Sequence, residues 1–322
     1  MQRLPDCRIS PEERAGFQRR GRAGVRRSIA RRVPWGFLAP GIVIVVLYAL
    51  WPICVTVFMS LENLNIFFLA NWLRAPFVGL GNYWAAFQPN SPMGSIFWPT
   101  LENALIFTVS AIALGLPMGF MAASAMNRRM RGRAFFRVLF IIPYAIPVFV
   151  SGLAWRLMFM QQTGAVDRVM ALLHLGNGQT FWLIGSNSMI ALIIANVWSS
   201  WPFFYLFILA ALQSVPDELY EAGKLDGAGG WGLVRYITLP QIGIPVLISV
   251  SLSFIYHFNN FSLPFVMFGT TPPNQANTLP LNIYLFGFSN MQFGAGAAMA
   301  VISMVIVLIP MVLYIRTVRV GT

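Results

Sequence analysis

Polar side chains interrupt two of the most apolar stretches of the chain. Between residues 189 and 212 the first set is Asn196, Ser199, Ser200 and Phe203. Between residues 241 and 267 the second set is Ser253, Tyr256, His257 and Asn260. Helical steps of three, four and seven place each set on one stripe of a helix. Hydroxyl, amide and imidazole groups beside aromatic faces suit a hydroxylated ligand, so these stripes are candidate walls of a binding cavity.

A third stretch adds one aromatic hydroxyl to this group. Tyr144 stands between Pro143 and Pro147, and prolines at membrane depth are tolerated where neighbours or a water-lined cavity satisfy the freed backbone groups. The prolines therefore predict a kink beside a pathway, with a simple packing kink as the alternative. Serine and asparagine also join membrane helices, and aromatic side chains also simply pack. His257 lacks a second histidine or carboxylate predicted at its depth, which argues against a metal site.

The elements that must position these residues are membrane helices. Of the 322 residues, 57% are hydrophobic and 10% are charged, whereas soluble domains carry roughly 25% charged residues. A membrane crossing needs about 20 mainly apolar residues. Six stretches meet this requirement: about 35 to 60, 100 to 126, 135 to 160, 189 to 212, 241 to 267 and 295 to 315. The sequence predicts an all-α integral membrane protein with six transmembrane helices.

The distribution of basic residues predicts the topology. Ten arginines precede Val33, and nine more of the 22 basic residues fall in the loops and terminus on the same side of six crossings. Cytoplasmic loops collect Lys and Arg, so both termini are expected in the cytoplasm. Residues 1 to 34 form an arginine-rich cytoplasmic segment and residues 35 to 322 the transmembrane domain. The arginines are interpreted as a topology determinant and an attraction to anionic lipid, rather than as an arm that binds nucleic acid. No disulfide is predicted from Cys7 and Cys54.

A polar segment, residues 213 to 240, lies between the fourth and fifth predicted crossings. Asp217 and Glu218 favour a helix start, which predicts a short helix over residues 217 to 225. A turn follows at three glycines: Gly227, Gly229 and Gly230. A second short helix, about 231 to 237, is expected to present Trp231, Val234 and Ile237 on one side and to end before Pro240 begins the fifth crossing. This bent helical pair predicts a docking surface for a cytoplasmic partner, with a solvated loop as the alternative.

The same segment resembles a known family. The sequence fits the spacing E-A-A, three residues, G, nine residues, I-x-L-P at Glu221, Ala222, Gly227, Ile237, Leu239 and Pro240. It departs only at Gly223, where the family has a second alanine. The pattern is similar to the EAA loop of inner-membrane permeases in binding-protein-dependent ABC importers. The stretches "FVGLGNYWAAF", "NVWSSWPFF" and "SFIYHFNNF" resemble the carbohydrate branch of that family, which contains maltose, trehalose and glycerol-phosphate permeases. "FGTTPP" departs from its T-G-G-G-P-like stretch.

The resemblance implies two groups of functional residues. The loop would be a coupling helix that docks on an ATPase subunit, through Glu218, Glu221, Ala222, Gly223, Asp226, Gly227, Ala228, Leu239 and Pro240. Substrate would be held by Tyr144, Asn196, Ser199, Ser200, Phe203, Ser253, Tyr256 and His257. No catalytic residue and no metal ligand is expected in this chain.

The expected function is that of a permease subunit which passes a disaccharide, polyol or glycerophospho-compound inward by alternating access. The chain has no G-x-x-x-x-G-K-[ST] phosphate loop, so ATP and Mg are expected on a partner. The expected partners are two copies of a cytoplasmic ABC ATPase, a second homologous permease, an extracytoplasmic solute-binding protein, the sugar and the lipid membrane. The alternatives are an ion-coupled secondary transporter, for which Glu102 is the candidate carboxylate, a membrane enzyme and a scaffold.

Overall fold

The computed structural model describes residues 35–128, 131–175 and 179–320. Regular structure in these residues is helical, apart from an isolated antiparallel bridge between Glu62 and Phe77. The arginine-rich segment 1–34, with Cys7, lies outside the described residues. Cys54 is exposed and forms no disulfide. The prediction of an all-α protein is confirmed.

The helices of the described residues are named in chain order. They are α1 (Leu38–Ser60), α2 (Gly81–Phe87), α3 (Gly94–Asn127), α4 (Arg133–Ala145), α5 (Val148–Met158), α6 (Ala165–Leu172), α7 (Asn187–Gln213), α8 (Asp217–Leu225), α9 (Gly230–Phe258), α10 (Ser262–Phe268), α11 (Leu279–Tyr284) and α12 (Phe293–Val320). Among them α1, α3, α7, α9 and α12 each contain an apolar stretch long enough to cross a membrane. The predicted crossings at about 35 to 60, 100 to 126, 189 to 212 and 295 to 315 fall within these helices.

The predicted third crossing, 135 to 160, is not one helix. The chain forms α4 and α5, which meet at an angle of 87°. Ile146 is extended where α4 ends, and Pro147 is the N-cap of α5. Proline removes a backbone donor and disfavours the helical conformation in the residue before it. The expected kink is therefore a full break.

The predicted fifth crossing, 241 to 267, also has different bounds. α9 begins at Gly230 and runs without interruption to Phe258, with one π-helical turn at Val234–Thr238. The prediction of a separate helix over 231 to 237 is wrong. Pro240 lies in the first turn of α-helix after the π turn, where the N–H group that proline lacks costs little, so the helix does not end before it. At its other end the crossing stops at Phe258, and α10 follows as a separate short helix.

Two glycines bring α3 and α7 into close contact. Gly115 and Gly119 of α3 both face Phe204 of α7, and a methyl group at Gly119 would lie 2.7 Å from the backbone nitrogen of Tyr205. Small residues four apart let membrane helices approach closely, because association in lipid depends on van der Waals packing. This approach fixes α7, which carries the first polar stripe, against the centre of the fold.

The described residues divide into two compact units, one that ends at Val55 and one that begins at Thr56. In the first unit, the large apolar side chains of α1 are exposed, including Tyr48 and Trp51. In the second unit, α7 takes part in two buried apolar clusters. One contains Leu192 and Ala195, and the other contains Phe204, Tyr205 and Ile208. The polar residues of the α7 stripe lie between these clusters along the helix.

The close approach of α3 and α7 gives a stability prediction. Gly119→Ala should destabilise the protein by about 1–3 kcal/mol, because backbone atoms of α7 cannot move aside as a side-chain tip can. Gly243→Ala on α9 is the matched control, since an added methyl group there meets nothing within 4 Å. Thermal unfolding in detergent is the measurement. Equal unfolding midpoints for the two variants would contradict the close contact.

Candidate functional site

A cavity of about 640 Å³ lies between the α4–α5 break, the middle of α7 and the last turns of α9. Cavities of roughly 300–1,000 Å³ are typical of small-molecule sites. Of the residues predicted to bind substrate, those in the wall are Tyr144, Ser199, Ser200, Phe203, Ser253, Tyr256 and His257. Three helices that are distant in sequence thus bring the two polar stripes and the tyrosine to one place.

The break between α4 and α5 forms one side of the cavity. Residues 144 to 148 all line it, including Ile146 and Pro147, which the sequence analysis did not place in the site. The last carbonyl groups of one helix and the first N–H groups of the next lack intrahelical partners. Non-helical backbone at membrane depth is tolerated where it is buried in protein or lines a polar cavity. The two prolines were the signal for this break.

Two serine hydroxyls in the wall have no hydrogen-bond partner among the described residues. Ser200 Oγ and Ser253 Oγ are both buried, and each belongs to a residue of the cavity wall on a different helix. An unpaired buried hydroxyl costs free energy, of the order of 1–3 kcal/mol. By contrast, Ser199 donates to the carbonyls of Ala195 and Asn196 on its own helix. Ser200 and Ser253 are therefore the wall groups most in need of a ligand or water partner.

Aromatic rings form part of the remaining wall, beside aliphatic residues such as Ile146 and Leu252. Tyr144 and Phe203 lie with ring centroids 6.4 Å apart across the α4–α7 side. Tyr256 and His257 lie 5.2 Å apart on α9. Both tyrosines are about half exposed or more, so their ring surfaces are open to a ligand. Aromatic faces that surround hydrogen-bonding groups match the alternating apolar and polar surface of a sugar.

One predicted substrate residue does not line the cavity. Asn196 is 1% exposed, and its Nδ2 lies 3.1 Å from Nδ1 of His257. Helical periodicity placed Asn196 on the same side of α7 as Ser199 and Ser200. That side is wide enough to include a residue that lies behind the wall and does not reach the cavity. Asn260, from the second stripe, is likewise outside this wall, and its Oδ1 accepts from the backbone N–H of Leu263 at the start of α10.

Other groups that could do chemistry lie elsewhere. Glu102 is exposed and is not part of the cavity wall. Among residues 35–128, 131–175 and 179–320, no three histidine, cysteine or acidic side chains come together as a metal site. Glu62, which the sequence analysis did not single out, is buried just beyond the end of α1, and burial raises the pKa of its carboxyl.

The polar segment between α7 and α9 is an ordered, exposed helix followed by a tight turn. α8 spans Asp217–Leu225, as predicted, and its exposed residues include Glu218, Glu221 and Ala222. Its C-terminus is a Schellman motif: the N–H of Ala228 donates to the carbonyl of Gly223, and that of Gly227 donates to Lys224. Gly227 has φ of +81°. The predicted turn therefore depends on Gly227, the only one of its three glycines with a left-handed backbone.

α8 is attached to the beginning of α9 by two contacts. The hydroxyl of Tyr220 lies 3.2 Å from Oγ1 of Thr238 in the π turn, and Thr238 in turn donates to the carbonyl of Leu233. At Gly223, an added methyl group would lie 2.6 Å from Cδ1 of Ile237. The position where the chain departs from E-A-A thus packs tightly against Ile237 of α9.

The exposed surface of this segment is partly apolar. Leu225 is 89% exposed and Trp231 is 72% exposed. Val234 and Ile237, which were expected on the same side as Trp231, are instead half buried. An exposed leucine and tryptophan beside several charged groups are typical of a protein interface.

A bundle of membrane helices with a broken helix at a polar cavity and an exposed helical elbow between two crossings defines the class of transport permeases. Residues 115–317 match the family described as "Binding-protein-dependent transport system inner membrane component". The chain belongs to this family.

Relatives in this family are similar over nearly their whole length. The sn-glycerol-3-phosphate transport system permease protein UgpA of Agrobacterium fabrum is 29% identical over 86% of this chain and 91% of its own. The trehalose/maltose transport system permease protein MalF of Thermococcus litoralis is 28% identical over 90% and 95%. The predicted family is confirmed, and it is a class of transport proteins rather than enzymes. The comparisons give ion coupling no support.

A solved structure has the same fold. It is a chain of the bacterial alginate ABC transporter in complex with an alginate pentasaccharide-bound periplasmic protein. The TM-score is 0.73 at 18% identity, over 88% of this chain and 92% of that one.

The Schellman turn after α8 gives a local prediction. Gly227→Ala should weaken the turn by about 1 kcal/mol, because a side chain disfavours a left-handed backbone. The amides of residues 227 and 228 should then exchange with deuterium roughly fivefold faster by mass spectrometry. Gly229→Ala is the matched control, since Gly229 has φ of −72° and open space around it. Faster exchange in the control as well would overturn this assignment.

Proposed function

We propose that this chain is the permease subunit of an ABC importer that carries a sugar or a related polyol or glycerophospho-compound into the cytoplasm. The observation that carries the proposal is the pair of unpaired serine hydroxyls, Ser200 and Ser253, in an aromatic-lined cavity at a helix break. A hydroxylated ligand would supply the missing hydrogen bonds and cover the rings. Relatives named for glycerol 3-phosphate, for trehalose and maltose and for sulfoquinovosyl glycerol support this chemistry.

In this proposal the substrate contacts come from both polar stripes. Ser200 and Ser253 bind hydroxyls from opposite helices, while Tyr144, Phe203 and Tyr256 lie against the apolar face of the ring. Carbonyl groups that lack a helical partner at the end of α4 accept hydrogen bonds from further hydroxyls of the substrate. Alternating access opens this cavity first to the outside and then to the cytoplasm, and an extracytoplasmic solute-binding protein delivers the substrate.

The energy source is a separate subunit. We propose that α8 lies on the cytoplasmic side of a bacterial inner membrane, as the basic residues predict, with both termini on that side. Two copies of an ABC ATPase, which hold ATP and Mg, act on this transporter, and one of them docks on α8 through Glu218, Glu221 and Leu225. The remaining predicted coupling residues, Gly223, Gly227 and Pro240 among them, would position the helix. A second homologous permease completes the pathway.

Substitution of the wall serines tests the cavity. Ser253→Ala should raise the KM for uptake roughly threefold to tenfold through the loss of one hydrogen bond to an uncharged partner. Ser249→Ala is the matched control one turn away, because Ser249 donates to the carbonyl of Val246 and does not line the cavity. Uptake is measured with radiolabelled disaccharides, polyols and glycerophosphodiesters in cells that express the complete transporter. A KM for Ser253→Ala equal to that of the control would contradict the cavity assignment.

Substitution on α8 tests the coupling. Glu221→Gln should lower substrate-stimulated ATP hydrolysis about tenfold, the effect of one well-placed interface residue, while the complex still assembles. Asp217→Asn removes a charge from the same exposed helix and serves as the control. Stimulated hydrolysis of the purified complex is the measurement. If both variants hydrolyse ATP at the rate of the unmodified complex, α8 is not the coupling element.

A further inference from the structure

An asparagine–histidine pair joins the cavity wall to the layer of side chains behind it. Asn196 on α7 and His257 on α9 are 1% and 2% exposed, and Nδ2 of the amide lies 3.1 Å from Nδ1 of the ring. His257 lines the cavity, whereas Asn196 does not. The pair therefore joins the two polar helices and turns one edge of the imidazole away from the cavity.

The hydrogen bond fixes the protonation of the ring. An amide nitrogen is a donor only, so with Nδ2 of Asn196 facing the ring, Nδ1 of His257 accepts and carries no proton. An imidazole with a bare Nδ1 is neutral and has its proton on Nε2. The ring is also held in place by edge-to-face contacts with Phe107 at 6.2 Å and Tyr256 at 5.2 Å.

We infer that Asn196 is a positioning residue that locks His257 in the Nε2–H form, so that the cavity wall presents one fixed N–H donor to an oxygen of the substrate. This inference rests on the proposed function and assigns Asn196 a role behind the wall instead of direct contact with sugar. A serine hydroxyl can donate or accept, but the locked imidazole at this position only donates. The site thus selects a hydroxyl or ether oxygen there and disfavours the ammonium group of an amino sugar, which is a donor only.

The proton position can be measured without substrate. The sequence contains only two histidines. His174 is exposed with φ of +55°, so His174→Asn removes it with a residue that tolerates this backbone. The complete transporter is then assembled from this chain labelled with 15N-histidine and unlabelled partner subunits, so that NMR reports on His257 alone. The expected result is a directly bonded hydrogen on Nε2 and none on Nδ1. A proton on Nδ1 would overturn the inference.

Two substitutions test the role of Asn196. Asn196→Asp replaces the donor with an acceptor, so the NMR spectrum should show a proton on Nδ1. Asn196→Leu removes the partner, so both neutral forms should appear. In uptake of trehalose, maltose and sn-glycerol 3-phosphate, both variants should raise KM roughly tenfold for the sugar that is carried, with a smaller change in maximal rate. A KM unchanged in both variants would also overturn the inference.

The two proposals fail in different ways. If the unmodified transporter takes up none of the three compounds, the proposed substrate class fails, while the NMR result still decides the form of His257. If uptake and the effect of Ser253→Ala are as expected but Nδ1 carries the proton, the proposed function stands and the positioning role of Asn196 is rejected. Equal inhibition of trehalose or maltose uptake by glucose and by glucosamine would contradict the selection against an ammonium group.

Discussion

The structure depends on the requirement that backbone polar groups in a membrane find partners inside the protein. Continuous helices satisfy most of this requirement by themselves, as in α3 and α7, which continue through Pro117 and Pro202. At Ile146 and Pro147 the helix is interrupted, and α4 and α5 meet at an angle of 87°. Such a break is stable only beside protein or polar solvent, and here it borders the cavity. The same interruption that removes helical hydrogen bonds therefore creates the place where a polar ligand can be held.

The position of the cavity wall follows from helix packing. Gly115 and Gly119 allow α7 to lie close to α3, which leaves the apolar residues of α7 in two clusters above and below its polar stretch. Within that stretch the structure separates hydroxyls that are satisfied by their own helix, such as Ser199, from Ser200, which is not. Burial of an unpaired hydroxyl is unfavourable. The Ser200 hydroxyl therefore does not stabilise the fold unless a ligand or water pairs with it.

Much of this arrangement could be predicted from the sequence, because membrane length and polar periodicity are strong local signals. The two stripes, the α8 helix and its glycine turn were predicted by those signals. The angle at Pro147 and the end of α9 at Phe258 could not be, since they depend on which neighbours accept a freed backbone group. The same is true of Asn196. Periodicity predicts the side of α7 on which this residue lies, but whether its side chain reaches the cavity depends on its contact with His257.

α8 is connected to the cavity through the helices on either side of it in the chain, α7 and α9. Thr238, which holds Tyr220 of α8, and Ser253 of the wall lie fifteen residues apart on α9, about 22 Å at the rise of an α-helix. α7 ends only a few residues before α8 begins. A displacement of α8 by a partner would therefore act on both helices that carry the polar stripes. The α4–α5 break, which forms the third wall, is not next to α8 along the chain. Movement of two walls against the third would change the shape of the cavity without breaking the buried Asn196–His257 hydrogen bond that ties the two moving helices together.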